Sequence, residues 1–205
     1  MATTAKKPGF FAQGRLVLAW IGFLWVVFIV QVVCLSAFHL DLAARGGVVP
    51  RDTHHLIGIV TAHFLHANYQ HILANSIALL ILGWLACWYS RGLTLVAVIY
   101  AMLGAGLVTW LIAPDGTVHI GASGVAFGLI GFLLFNAAVR RDFLSIFLAL
   151  ATLFVFEGAL TLMFPAGLIP HAGVNATATP ISWQMHLGGF IGGCAASWHV
   201  RHEVK

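Results

Sequence analysis

Long apolar stretches joined by short polar segments dominate the chain. Six stand out, with cores near 16–38, 69–88, 93–112, 122–139, 143–164 and 182–200. Most reach the roughly 17–25 residues a helix needs to cross a bilayer. The pattern predicts an all-α polytopic membrane protein: a single domain over 1–205, six transmembrane helices, and a polar segment, 1–15, ahead of the first. The fourth stretch is short and glycine-rich, so its N-terminal end is expected below the membrane surface. The joint at about 39–68 is long and mixed, with Gly46-Gly47, Pro50 and an apolar run from Leu56 to Phe64 that is expected to dip partly into the membrane. The joint from Pro165 to Pro180 is rich in Gly, Pro, Ala and Thr and reads as a mobile loop.

Composition agrees with the pattern. Hydrophobic residues make up 60% of the chain and charged residues 8%, against roughly 25% charged in soluble domains; mean hydropathy is +0.96. The first apolar run, Leu16 to Phe38, exceeds the roughly 7–15 residues of a signal-peptide core, so it is expected to stay as a span. Cys34, Cys87 and Cys194 all lie in apolar stretches with no paired spacing, and read as packing residues.

Charge then orients the spans. Lys6, Lys7, Arg15, Arg91, Arg140, Arg141, Arg201 and Lys205 fall on one side of the predicted topology, and only Arg45 and Arg51 on the other. By the positive-inside rule both termini are cytoplasmic. The net charge of +4 therefore reports topology, and no nucleic-acid partner is expected.

Polar groups inside apolar helices are costly and mark candidate sites. Ser123 opens the fourth stretch and His186 enters the sixth. His71 and Asn75, four residues apart, share one face of the second. The topology puts all four at similar depth on the non-cytoplasmic side. Taken singly, Ser123 reads as a packing residue, His186 as a satisfied core histidine, and His71 and Asn75 as partners of loop backbone. Together they have the types that acyl transfer needs: a hydroxyl nucleophile, an imidazole base, and donors for an oxyanion. Gly121 and Gly124 permit a turn around Ser123. Gly124, Gly128 and Gly131 give one helix a smooth face, as Gly189 and Gly193 do for the helix of His186, so the two are expected to pack closely. The histidines His54, His55, His63, His66 and His71 lack an HExxH pattern and a companion carboxylate, so no metal is expected. Glu157 is the only carboxylate deep in a span and reads as a partner for a neighbouring helix or a water pocket.

Three segments resemble the rhomboid family of intramembrane serine proteases: Phe64-Leu-His66-Ala-Asn-Tyr-Gln-His71-Ile-Leu-Ala-Asn75, Gly121-Ala-Ser123-Gly124, and His186-Leu-Gly-Gly189-Phe-Ile-Gly-Gly193. They occur in the family's order, each on the expected helix. The resemblance implies a rhomboid-like bundle with Ser123 as nucleophile and His186 as general base. His71, Asn75 and the Ser123 N–H would form the oxyanion hole. His66, Gly121, Gly124, Phe127, Gly189 and Gly193 would support it. Phe127 stands where relatives often carry a tyrosine stacked on the histidine, and Ile57-Gly58 where many carry Trp-Arg. No acidic third member is implied; Asp115 is the nearest external carboxylate to Ser123. The expected substrates are membrane proteins with a transmembrane segment, entering past span five and the loop after it. No cofactor is implied, the lipid bilayer is the medium, and a bacterial plasma (inner) membrane is the expected location. The competing expectation is a non-catalytic rhomboid-like protein that binds transmembrane clients; relatives of that kind usually lack the serine or the histidine.

Overall fold

The computed structural model describes residues 10–165, 168 and 181–203, and of residues 10–13 only the backbone. The polar start of the chain before residue 10 and nearly all of the 165–180 loop, expected to be mobile, lie outside the described residues. The described residues are helical, with one isolated antiparallel bridge between Val48 and His119. The long helices are α1 (Phe10–Phe38), α4 (Tyr69–Tyr89), α5 (Arg91–Ile112), α6 (Ser123–Arg140), α7 (Phe143–Phe156) and α8 (Trp183–His199). Two short helices, α2 (Leu42–Gly46) and α3 (Gly58–Thr61), sit in the first loop.

Most of these helices start where the sequence supplies a side-chain cap. Asn68, Ser90, Asp142 and Ser182 accept from the backbone N–H of His71, Leu93, Ser145 and Met185, opening α4, α5, α7 and α8. Each satisfies an N–H that the first turn leaves without a helical partner.

Two elements differ from the pattern-based expectation. The segment 143–164 is not one continuous α-helix: at Phe156 it passes into a 3₁₀ stretch, Glu157–Met163. That is long for a 3₁₀ helix, which rarely exceeds 3–4 residues. The other is α8. Five segments, Gly14–Phe38, Tyr69–Tyr89, Arg91–Ile112, Ser123–Arg140 and Phe143–Met163, are long and apolar enough to cross a membrane. At 17 residues, α8 falls just below that length, spanning roughly 25 Å.

The bundle is built around α6, which packs against α4, α5, α7 and α8. Glycines set the spacing. A Cβ on Gly189 would overlap the Gly124 carbonyl, and one on Gly193 the Gly128 carbonyl. A second face of α8, which the sequence reading missed, meets α5: Cβ atoms on Gly188 and Gly192 would overlap the carbonyls of Gly104 and Tyr100. Helices this close gain dispersion contacts along their length, the main attraction available between helices in lipid. Outside, Phe38, Phe143, Leu150 and Phe154 are exposed. Inside, polar groups pair with one another: Ser197 donates to Asn136, and Arg140 to Asn136 and the Val200 carbonyl.

Candidate active site

At the end of the bundle where α6 begins, the chain turns sharply. Gly121 has φ of +127°, a conformation that favours glycine. Its N–H donates to the Ala62 carbonyl at 2.9 Å, and two residues earlier His119 exchanges both backbone bonds with Val48, at 2.9 and 3.0 Å. The first loop thus holds the strand-like lead-in to α6 at two points. A Cβ on Gly121 would lie 2.6 Å from His71 Nε2 and 3.5 Å from Asn75 Nδ2, so both side chains point at this turn.

α6 has Ala122 at its cap position, with no side chain bonding its first turn. The N–H groups of Val125 and Ala126 turn back to the Ala122 carbonyl. The N–H of Ser123 is left at the open, partially positive end of the helix.

Ser123 and His186 come together: Ser123 Oγ lies 2.9 Å from His186 Nε2. On the other side of the ring, His186 Nδ1 lies 3.0 Å from the Leu162 carbonyl oxygen. A carbonyl only accepts, so Nδ1 carries the proton and the neutral ring leaves Nε2 bare to accept from the serine hydroxyl. Phe127, one turn after Ser123, stacks on His186 with centroids 4.1 Å apart and planes 12° from parallel. Asp115 takes no part: it pairs with Arg51, which also donates to the carbonyls of Leu111 and Ala113. A main-chain carbonyl has no signature in residue type, so Leu162 was invisible in the sequence.

His71 sits in the first turn of α4, where the Asn68 side chain accepts from its N–H at 2.9 Å. The Ala67 N–H points at His71 Nδ1 from 3.5 Å. A backbone N–H only donates, which favours the tautomer with the proton on Nε2, the nitrogen facing the Gly121 turn. Asn75 Nδ2 is buried and has no hydrogen-bond partner among the described residues. Such an orphaned donor is rare in folded proteins and marks a place where an acceptor is expected to arrive.

His66 lies behind the site. It is fully buried, its ring meets that of His71 edge-on at 5.2 Å, and Gln31 on α1 bonds both its N–H and its carbonyl. Burial, with the neighbouring His71, pushes its imidazole down to about 3. His63, also buried and bonded to the Met102 carbonyl at 2.9 Å, is lowered by burial too. The other loop histidines are dispersed, and His55 pairs with Asp52. Among the described residues no three or more of His, Cys, Asp and Glu group closely enough to hold a metal ion.

All the polar groups of the turn face a cavity of about 770 Å³. Its wall includes His71, Asn75, Ser123 and His186, with Ala78 and Leu82 from α4 and Phe156, Ala159 and Leu162 from the α7 segment. Glu157 is exposed where α7 changes to 3₁₀. The place expected for Trp-Arg is filled differently: a Cβ on Gly58 would overlap the Gly47 carbonyl, so α3 packs directly on the first loop's backbone.

Residues 53–203 match the model of the Rhomboid domain. The chain is 36% identical over 203 residues to an uncharacterized protein of Mycobacterium tuberculosis, covering 95% of this chain and 78% of that one. It is 34% identical over 203 residues to an uncharacterized protein of Mycobacterium leprae, covering 95% and 74%. It is 32% identical over 143 residues to RHOMBOID-like protein 1 of Arabidopsis thaliana, covering 68% and 33%. With a Rhomboid domain over most of its length and five helices long and apolar enough to span a bilayer, the chain is an integral membrane protein and belongs to the rhomboid family.

Proposed function

We propose that this protein is an intramembrane serine endopeptidase that cleaves membrane proteins in or near a transmembrane segment. The observation that carries the reading is the pair Ser123 Oγ and His186 Nε2, 2.9 Å apart, with the ring's other nitrogen donating to the Leu162 carbonyl. Those contacts set the serine hydroxyl as donor and the imidazole as acceptor before any substrate arrives. As the Ser123 oxygen attacks the scissile carbonyl carbon, His186 Nε2 takes its proton. The carbonyl oxygen becomes an oxyanion, with the Ser123 N–H, the Asn75 amide and His71 Nε2–H as its donors. The C–N bond then breaks, and His186 returns the proton to the leaving amine. Water then attacks the acyl carbon as the same ring takes its proton; the ester bond to Ser123 breaks, and the ring returns the proton to Ser123 Oγ.

In this reading the Leu162 carbonyl does for the imidazole what a carboxylate does in a triad, fixing tautomer and orientation. It lends no full negative charge to the imidazolium. The substrate helix must unwind locally to expose a peptide bond, so small or helix-breaking residues are expected near the cut. It enters past the α7 segment, whose residues form one wall of the cavity. The topology we propose has six spans, α8 being the sixth, with both termini on the cytoplasmic side of a bacterial plasma membrane, where eight of the ten Lys and Arg fall.

Cleavage of a single-span substrate in proteoliposomes tests the reading. Wild type cuts; Ser123→Ala and His186→Ala each lose about 10⁶-fold in kcat. Asn75→Ala loses about 10²–10³-fold. A fluorophosphonate labels wild type at Ser123 and leaves the serine variant unlabelled. A wild type that neither cuts nor labels favours the client-binding alternative, and unchanged cleavage in either alanine variant overturns the proposed pair.

A further inference from the structure

A third histidine reaches the cavity wall, and the mechanism above does not use it. His119 lies in the lead-in to α6, and its ring joins a chain of hydrogen bonds whose directions can be assigned throughout. Thr117 Oγ1 donates to the Pro114 carbonyl at 2.6 Å. That uses its one proton, so toward His119 Nε2, 2.8 Å away, the same oxygen accepts, and Nε2 carries the ring proton. The neutral ring then presents a bare Nδ1, and Ser182 Oγ, 2.8 Å away, donates to it. Ser182 Oγ in turn accepts from the Met185 N–H at 3.4 Å as the cap of α8. The chain runs one way, from Met185 through Ser182, His119 and Thr117 to Pro114, with each group used once in a role open to it. Burial lowers the His119 imidazole from its ordinary value, which favours the neutral form these directions require.

The two ends of this chain belong to the two halves of the reacting pair. The backbone of His119 is locked to Val48 four residues before Ser123. The Ser182 carbonyl accepts from the N–H of His186 at 3.2 Å, so Ser182 and His186 are successive rungs of one helical turn. The close contacts of α8's own glycines run from Gly188 through Gly193 and fix the helix axis beyond His186. In the first turn, where helices fray, Met185 is buried against Gly124, and the bond from Ser182 to His119 adds a polar tie to the loop.

Resting on the proteolytic reading, we propose that His119 is a positioning residue: through Ser182 it clamps the first turn of α8 to the loop that delivers Ser123, and so sets the approach of His186 to the serine. The clamp acts on geometry and touches neither substrate nor reacting atoms. A displacement of about 1 Å at a reacting pair lowers rate by about 10²-fold, so a small loosening is measurable.

The test uses the full chain in proteoliposomes with a single-span substrate. His119→Phe keeps the ring's bulk and removes both nitrogens; His119→Asn returns an acceptor for Ser182; Ser182→Ala removes both clamp and cap. The expected result is a fall in kcat of about 10–100-fold for His119→Phe with KM little changed. Fluorophosphonate labelling of Ser123 slows in parallel, and His119→Asn recovers most of the loss. In the double variant His119→Phe/Ser182→Ala the two losses do not multiply, because both break one link. Wild-type kcat and labelling in His119→Phe, or losses that multiply, overturn the clamp while leaving the proteolytic reading intact. If wild type cuts nothing, that reading fails instead, and ring ¹⁵N NMR of His186 still decides the clamp. His119→Phe then moves the Nε2 resonance toward its position in Ser123→Ala; an unmoved resonance overturns it.

Discussion

Two walls of the cavity are built on different principles. One is α6 with α8, joined to each other, and α8 to α5 behind, by glycines set directly against the neighbouring helix's carbonyls. The other is α7 with its 3₁₀ continuation. In the α6 span 61% of residues are buried, and in an 18-residue stretch of Phe143–Met163 only 22%. Ser123 and His186 both stand on the close-packed wall, while the carbonyl that holds His186 Nδ1 comes from the loosely packed one. The spacing of the reacting pair is thus set where the protein yields least. The orientation of the imidazole is shared with an element that is not part of the glycine contact between the two helices. On the proposed reading, a substrate entering past the second wall meets the Leu162 contact before it meets Ser123 and His186.

The sharpest way to break this comparison is to add bulk to each wall. On the close-packed side, Gly193→Leu drives a side chain into the Gly128 carbonyl, with Phe132 N 2.8 Å from the new Cβ. Backbone cannot rotate aside as a side chain can, so the helices must separate. Overpacking of this kind costs about 1–3 kcal/mol, occasionally more, and here it also parts Ser123 from His186. The expected outcome is a marked drop in unfolding temperature in detergent, with loss of Ser123 labelling. On the other wall Phe154, 86% exposed, is the control: Phe154→Trp adds bulk there and changes the unfolding temperature little. Equal losses at the two positions would erase the distinction between the walls.

Acid probes the support beneath the close-packed wall. Burial pushes the His66 imidazole down from 6.5 to about 3, and lowers His63 as well. Below pH 6.5 the unfolded chain takes up protons that the folded one refuses, so it binds more protons and folding stability falls with pH. The window runs from about pH 6.5 to about pH 3, where His66 protonates in the fold too. A shift of this size is worth on the order of a few kcal/mol. Unfolding temperature measured from pH 7 to pH 4 is expected to decline, and His66→Phe, which keeps an aromatic ring beside His71, is expected to flatten the decline. A slope identical in the variant would remove His66 as its source.

The two walls were also unequally legible in the sequence. Gly124 and Gly128, opposite Gly189 and Gly193, announced the contact of α6 with α8, because small residues at helical spacing have few other uses in a span. Ser123, His71 and Asn75 were visible as polar groups at one depth. The other wall gave no such signal. Along residues 143–164 only Glu157-Gly158 stands at the passage from α-helix to 3₁₀: hydrophobic periodicity is blind to a change in hydrogen-bond register, and the Leu162 carbonyl is backbone. His119 was missed for another reason. It lies outside the apolar stretches, where a histidine is unremarkable until the fold brings Ser182 beside it. The exposed sites of α7 were equally silent, since a lipid-facing phenylalanine and a buried one read alike in a membrane chain.

The finest separation of the two walls is at the His186 ring itself. Phe127, from the close-packed wall, stacks on one face of the ring, and Leu162, from the other wall, holds its edge. A stacked aromatic pair contributes about 0.5–1.5 kcal/mol beyond simple burial, so losing it is expected to lower kcat/KM by up to about tenfold. Phe127→Leu removes the stack and keeps most of the volume; Phe127→Tyr keeps the stack and adds a hydroxyl at the cavity wall. Tyrosine is expected to stay within about twofold of wild type, because the ring's face, and not its edge, meets the imidazole. Leucine is expected to lose rate while its unfolding temperature stays close to wild type, since a lost stack leaves the glycine contacts of α6 and α8 untouched. A leucine variant that retains full activity would mean that Leu162 alone orients the ring, giving the loosely packed wall sole control of the imidazole.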